Sequence, residues 1–338
     1  MIDVFNNFYK GKRVLVTGHT GFKGSWLSIW LHELGAEIVG VALDPFTERD
    51  NFVLSGIGKK MVADIRADIR DGQKIKEIFA LYQPEIVFHL AAQPLVRLSY
   101  EQPVETYETN VMGTINIMEA IRAIKSVKVG VMVTTDKCYD NNEQLEGYVE
   151  TDPFGGYDPY SSSKGACEIA IQSWRHSFFN PADYGNRHTV SLASVRAGNV
   201  IGGGDWAKDR LIPDCIRALE ATKVIDIRSP KAIRPWEHVL EPLSGYMFLA
   251  QKMWDDPTSY CEGWNFGPEA ESVLTVWEVA TAIIENFGFG ELKDVSNSNA
   301  LHEAMLLMLN INKAKTRLGW KPKLNAKECI CLLYTSDA

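Results

Sequence analysis

Tyr160 and Lys164 stand four residues apart in Tyr160-Ser161-Ser162-Ser163-Lys164, a spacing that puts both on one face of a helix. A free phenol titrates near 10, too high for a base at neutral pH, and a neighbouring cation favours the phenolate. Tyr160 is therefore read as a base for a substrate hydroxyl, with Lys164 as the cation that prepares it. By itself this spacing is a weak signal, because most such pairs are chance neighbours on a helix surface. Its weight comes from what precedes it.

Gly18-His19-Thr20-Gly21-Phe22-Lys23-Gly24 has the spacing GxxGxxG. It follows the apolar run Arg13-Val14-Leu15-Val16-Thr17 and opens a helical pattern from about Ser25 to Leu34. In that strand–turn–helix setting the glycines allow a tight turn, and backbone N–H groups at the helix start can approach a pyrophosphate. Asp44 closes the next apolar run. A carboxylate there accepts hydrogen bonds from an adenosine ribose 2′-OH and repels a 2′-phosphate, so NAD is expected rather than NADP. Arg49 keeps NADP open as an alternative.

These groups must be carried by a repeating scaffold. Strands are expected at 13–17, 37–43, 61–63, 86–90, 129–134 and 189–195, with helices at 25–34, 104–125 and 161–178. The alternation predicts an α/β fold, with a doubly wound parallel Rossmann-type sheet and a smaller mixed α/β substrate domain. The boundaries drawn are 1–190 for the dinucleotide-binding domain, with 231–260 returning to it. Residues 191–230 and 261–330 form the substrate domain. A helix beginning near Asn325 is expected to stop at Cys331, and 331–338 reads as a non-native tail without functional weight. His89, inside an apolar run, reads as structural, and Trp206, Trp236 and Trp264 as core or pocket walls.

The bulk properties exclude several classes. A net charge of −8 over 338 residues argues against a general nucleic-acid binder. No apolar run reaches the ~20 residues of a membrane helix, and Met1-Ile2-Asp3-Val4 lacks the features of a signal peptide. The six cysteines are scattered without zinc-ligand spacing. The expectation is a cytoplasmic protein with free thiols, no metal and no membrane partner.

The glycine loop, the Tyr160/Lys164 pair and the segment Thr134-Thr135-Asp136-Lys137 together resemble the extended short-chain dehydrogenase/reductase family. The finer resemblance, over about residues 8–328, is to the branch that dehydrates CDP-glucose. Three segments carry it: Thr135-Asp136-Lys137-Cys138-Tyr139-Asp140-Asn141, Ala91-Ala92-Gln93-Pro94-Leu95-Val96-Arg97, and Arg234-Pro235-Trp236-Glu237-His238-Val239-Leu240-Glu241-Pro242. The dTDP-glucose branch has Thr-Asp-Glu at the first place and Glu-Ser-His after the paired alanines at the second.

The resemblance implies oxidation of the sugar at C4, loss of water across C5 and C6, and return of the hydride to C6. In that chemistry Asp136 is the acid for the departing hydroxyl, and Lys137 stands where the dTDP enzymes have a glutamate base for C5. Thr135 holds the C4 oxygen. NAD is held by the loop 18–24, Asp44, Asp68 and Ile69, Ala91, Ala92 and Gln93, Thr134, Tyr160 and Lys164, with Asp64 competing with Asp68 for the adenine amine. The sugar nucleotide is met by Arg97, Asn199, Arg210, Leu211, Pro213, Arg234 and His238. Arg234 suits a diphosphate clamp, and His238 packs or hydrogen-bonds rather than catalyses. A homodimer or dimer of dimers is implied, through apolar stripes on the helices at 104–125 and 161–178. A dTDP-, GDP- or UDP-hexose dehydratase, a 4-epimerase, and a non-catalytic dinucleotide sensor remain as alternatives.

Overall fold

The computed structural model describes residues 5–221, 223–269, 272–297 and 304–335. Its strands are β1 (Arg13–Thr17), β2 (Glu37–Ala42), β3 (Ala63–Arg66), β4 (Ile86–His89), β5 (Val129–Val133), β6 (Ser191–Ala197), β7 (Asn199–Ile201), β8 (Val224–Ile227), β9 (Ile233–His238), β10 (Gly263–Phe266), β11 (Val273–Thr275) and β12 (Glu291–Asp294). The helices are α1 (Phe22–Glu33), α2 (Asn51–Ser55), α3 (Gly72–Tyr82), α4 (Val96–Glu101), α5 (Pro103–Tyr107), α6 (Gly113–Ala123), α7 (Pro159–Ser177), α8 (Leu211–Ala221), α9 (Leu240–Asp255), α10 (Val276–Phe287) and α11 (Ala326–Thr335).

Seven strands form one parallel sheet in the order β10-β6-β5-β4-β1-β2-β3. Parallel strands covered on both faces read as continuous apolar runs, and side chains alternate between the faces. In β1, Val14 and Val16 join Leu27 and Leu31 of α1 and Leu243 and Met247 of α9. Leu15 points the other way, among Ile75 and Phe79 of α3, Ile117 and Ile121 of α6, and Ile171 of α7. The sheet is therefore doubly wound, as the alternating pattern predicts.

A second core lies outside this sheet. It gathers Ile212 and Cys215 of α8, Ile225 and Ile227 of β8, Trp236 of β9, Ile283 of α10, and Cys329 and Ile330 of α11. Two small sheets, β11-β9-β7 and β12-β8, frame it.

Several boundaries differ from the sequence reading. β6 and β10 pair in the main sheet, so the expected borders at 190 and 261 cut through it. Of the segment 231–260, α9 packs on the main sheet, whereas β9 belongs to the second unit. The last helix runs on to Thr335, with Leu333 buried in the second core, rather than stopping at Cys331. Residues 336–338 of the expected tail lie outside the described residues. The helix expected over 104–125 is broken by a π-helical segment at Glu108–Met112 between α5 and α6.

Candidate active site

The glycine loop joins β1 to α1. Gly18 has φ +74°, and a Cβ there would sit 2.8 Å from the Ala91 backbone nitrogen. A Cβ on Gly24 would collide with the Gly18 carbonyl oxygen. Both positions need glycine so that the β1 loop, the β4 loop and α1 can meet. Gly21 caps α1 without a side-chain hydrogen bond, and the first turn carries no acidic residue. The amides of that turn are thus presented to an anion, with the helix dipole favouring negative charge. This cradle fits a dinucleotide pyrophosphate.

The side chains of the loop mostly serve the scaffold. His19 is fully buried, its Nε2 lies 2.6 Å from Asp64 Oδ1, and a Cβ on Gly40 would come within 2.5 Å of its ring. Burial holds the imidazole below its usual pKa despite Asp64. The His19 ring is thus packed between the loop and β2. Thr20 donates to the Leu43 carbonyl at 2.9 Å. Phe22 packs beside Gly202.

Asp44 is exposed beyond β2 and accepts from Arg66 Nε at 2.9 Å. Arg49, the cation that kept NADP open, instead pairs with Glu220 at 2.7 Å and lies 3.5 Å over the Trp206 ring. Arg66 is the neighbour that sequence reasoning missed; β3 lies beside β2 with Ala42 opposite Arg66. Asp64 is held by His19 and Arg66. Asp68 is held by Arg70, with Nε at 2.9 Å, and remains the candidate for the adenine amine beside buried Ile69. The Ala91 amide donates to Thr17 Oγ1 at 3.2 Å, and Ala92 follows it on the same loop. Gln93 is braced by Thr106, Leu95 and Asn110.

Beyond β5 the chain delivers the reactive cluster. Thr135 donates to Asp136 Oδ1 at 2.9 Å, and Lys137 Nζ lies 3.3 Å from the same oxygen. Asp136 is fully buried, and its Oδ2 has no hydrogen-bond partner among the described residues. Asp158 caps α7 by accepting from Ser161 N at 2.9 Å, which brings Tyr160 and Lys164 to the same place. Burial pushes the Tyr160 phenol well above its usual range. The neighbouring Thr135 hydroxyl and the charge of Arg210 oppose that shift, and Asp136 adds to it. Burial also lowers Lys164, whose Nζ donates to the Val133 carbonyl at 3.4 Å.

The Thr134 hydroxyl bonds to Glu168 and to the Val195 carbonyl, the latter at 3.3 Å. Glu168 is buried on α7 with Arg196 of β6 at 2.9 Å and Ser194 at 2.7 Å. Asn110, in the π-helical segment, was also missed. It receives the Gln93 amide at 2.8 Å and donates to Ser163 Oγ at 2.9 Å, tying the β4 loop to the reactive helix. Local spacing signals neither residue. His89 is structural as read: Nδ1 meets Thr17 at 2.7 Å and Nε2 meets Thr114 at 3.0 Å, and burial lowers its pKa to about 3.

On the substrate side, Asn199 Oδ1 and Arg97 Nε are buried without hydrogen-bond partners among the described residues. Arg97 also reaches Asp209 at 3.6 Å. Arg210 is held by Asp205 at 2.8 Å, close enough for its charge to act on Tyr160. Leu211 and Pro213 form the first turn of α8. Arg234 NH1 donates to the Ile233 carbonyl at 2.8 Å and the Met305 carbonyl at 3.3 Å. His238 lies edge-on to Trp26 and accepts from the Leu240 amide at 3.3 Å, so it packs and hydrogen-bonds as expected. Trp264 is fully buried in the main core.

The glycine cradle, the doubly wound sheet and the tyrosine–lysine helix beside β5 define the extended short-chain dehydrogenase/reductase class. Comparison with known proteins narrows this. A family profile for GDP-mannose 4,6 dehydratase matches residues 15–332, and the chain belongs to that family. It is 52% identical to the CDP-glucose 4,6-dehydratase of Salmonella typhimurium, over 98% of this chain and 91% of the relative. It is 26% identical to the dTDP-glucose 4,6-dehydratase 1 of Escherichia coli, over 92% and 88% of the two chains. Among solved structures, the dTDP-glucose 4,6-dehydratase of Bacillus anthracis in complex with NAD superposes with a TM-score of 0.78 at 20% identity, covering 96% of both chains. The UDP-glucose 4-epimerase of Thermotoga maritima with UDP-glucose gives 0.78 at 23% identity, covering 96% and 97%. These two likenesses concern the fold.

Proposed function

We propose that the chain is a nicotinamide-dependent hydro-lyase that converts CDP-glucose to CDP-4-keto-6-deoxyglucose and water. The observation that carries this reading is the cluster at the end of β5. Thr135 links Tyr160, the base suited to oxidation, with the Asp136/Lys137 pair suited to elimination. An epimerase needs only the first. The relative at 52% identity, near full length on both sides, supports CDP-glucose as the substrate.

NAD is the cofactor that suits the cradle at Gly18–Gly24 and the carboxylate of Asp44. When bound there, it would supply the hydride acceptor for C4 and the donor for C6. Tyr160 accepts the proton of the C4 hydroxyl, helped by the positive charge of Arg210 and by that of Lys164. Once C4 is a carbonyl, the proton on C5 is acidic. Lys137, in its neutral form, takes that proton while Asp136 gives one to the C6 oxygen as the C6–O bond breaks. The pair is then left as lysinium and carboxylate. As the hydride reaches C6, the lysinium of Lys137 returns a proton to C5, and the proton taken by Tyr160 passes through solvent to Asp136, which resets all three groups. In this reading Asn199 and Arg234 meet the diphosphate region, Arg210, Leu211 and Pro213 clasp the base, and Arg97 adds a further contact to the sugar nucleotide.

The proposal extends to a cytoplasmic homodimer that supplies deoxysugars for surface polysaccharide such as O-antigen. Exposed Val104, Tyr107 and Met112 on the α5–α6 stretch and Ile169 on α7 support a subunit contact there. Among the described residues no helix is long and apolar enough to cross a membrane.

The test is incubation with CDP-, dTDP-, GDP- and UDP-hexoses, followed by alkali to develop the 4-keto chromophore. The strongest signal is expected with CDP-glucose. A stronger signal with another nucleotide would move the base specificity. Epimer formation without a chromophore would overturn the dehydratase reading.

A further inference from the structure

Tyr139 follows directly on the turn Asp136–Cys138, which carries the pair assigned to elimination. Its side chain is buried and stacks on Tyr148, with ring centroids 5.1 Å apart and planes 16° from parallel. Its hydroxyl donates to Asn265 Oδ1 at 2.7 Å and accepts from Arg196 NH1 at 2.5 Å. Asn265 and Arg196 are register partners on β10 and β6, the last two strands of the main sheet. Asn265 is itself fully buried and donates to the Tyr148 carbonyl at 2.8 Å and the Asn310 carbonyl at 3.3 Å. The phenol thus uses both its donor and its acceptor capacity to fasten the end of the turn to the sheet.

Arg196 has a second attachment. Nε and NH2 each donate to the Glu168 carboxylate at 2.9 Å, so the guanidinium joins α7 to Tyr139. The same helix approaches the turn again at Gly165. A Cβ there would sit 2.5 Å from the Gly155 carbonyl oxygen and 3.2 Å from that of Cys138. The Gly155 amide in turn donates to the Cys138 carbonyl at 2.9 Å. Helix and turn therefore meet backbone against backbone at one point and through Glu168–Arg196–Tyr139 at another. Of the groups in that chain, the Tyr139 hydroxyl can be removed with the Glu168–Arg196 hold on α7 left in place.

We propose that Tyr139 is a positioning residue for the elimination step. Its hydroxyl, held by Arg196 and Asn265, sets where the Asp136/Lys137 turn stands relative to the helix of Tyr160 and Lys164. The proposal rests on the dehydratase reading. A sugar held at C4 by the helix presents C5 and C6 at a fixed offset. An acid and a base carried on a separate segment must then be held to within about 0.5 Å to reach them. Tyr139 acts through the turn, not on the sugar.

The test is Tyr139→Phe, which keeps the ring and its stacking on Tyr148. In single-turnover kinetics with CDP-glucose, reduced-cofactor absorbance rises with oxidation at C4 and decays only after elimination. The rise is expected to stay within about threefold of the parent. The decay is expected to slow by about 10- to 100-fold, the cost of a small misplacement of reacting groups. The sugar recovered by quenching during the slow phase should be a 4-keto hexose that retains its C6 oxygen. An unchanged decay would overturn the proposal, as would an equal slowing of both phases, which marks a general loosening. A trapped sugar that has already lost water would overturn it too, since the stall would then lie at hydride return. If Tyr139→Phe does not fold, Asn265→Ala carries the test: it removes the acceptor and leaves the Arg196 bond, with the same split expected and the same outcomes against it. Failure of the parent enzyme to form any 4-keto-6-deoxy product would strike the dehydratase reading instead.

Discussion

At the scale of single residues, the reading divides labour between Tyr160 and Asp136. Tyr160→Phe removes the proton acceptor for the C4 hydroxyl while leaving the ring in place. It is expected to lower turnover by ~10²–10⁴ and to leave binding of cofactor and CDP-glucose nearly intact. Initial rates and binding titrations check this, and near-normal turnover in a folded variant would remove Tyr160 from its role. Asp136→Asn is expected to differ in kind, because oxidation precedes the step it serves: reduced cofactor should accumulate. Cofactor choice is also a residue-scale matter. Asp44 favours NAD, but Arg66 at 2.9 Å offsets part of its charge. Titration should show tighter binding of NAD than NADP, with Arg66→Ala widening the gap. Tighter NADP binding would mean that the arginine dominates. The candidate reactive residues could be picked out in the sequence because each lies in a short run with a physical reason for its spacing. Their partners were not. Arg66, Asn110 and Glu168 acquire meaning only when elements distant in sequence become neighbours.

At the scale of elements, the buried pair Glu168–Arg196 joins α7 to β6 and is shared by Thr134 and Ser194. It holds the helix of Tyr160 and Lys164 against the sheet. Burial would raise the Glu168 carboxyl, but Arg196 and the two hydroxyls outweigh it and bring it below its ordinary value of 4.5. A carboxyl held low when folded contributes stability that is fully present above 4.5. That contribution is lost as pH falls through the folded value. Glu168→Gln leaves a buried guanidinium without its counter-charge and should cost about 3–5 kcal/mol at neutral pH. Urea denaturation across acid pH checks both the loss and its convergence with the parent as the carboxyl protonates. A loss under about 1 kcal/mol would show that the pair is dispensable. The sequence pattern indicated the helix over 104–125 but not its π-helical break, since that break serves Asn110 and its bonds to Gln93 and Ser163 rather than any local preference.

At the scale of the whole molecule, the parallel sheet was legible because strands buried on both faces leave long apolar runs. The seventh strand, β10, was not, since Gly263–Phe266 is only four residues long and lies far along the chain. The second unit was harder still to read. Its core is assembled from separated pieces between Ile201 and Leu333, so no single stretch shows its period. This layering places the cofactor cradle on the main sheet and most of the nucleotide-holding candidates at or beyond its edge, with the Thr135–Lys137 cluster between. The central claim is that oxidation at C4 and elimination across C5 and C6 occur at that one cluster, with the hydride kept inside the molecule. CDP-glucose deuterated at C4 tests it most directly. The account predicts that the label reappears at C6 of the same product molecule. Label lost to solvent, or returned to C4 with inverted configuration, would contradict it.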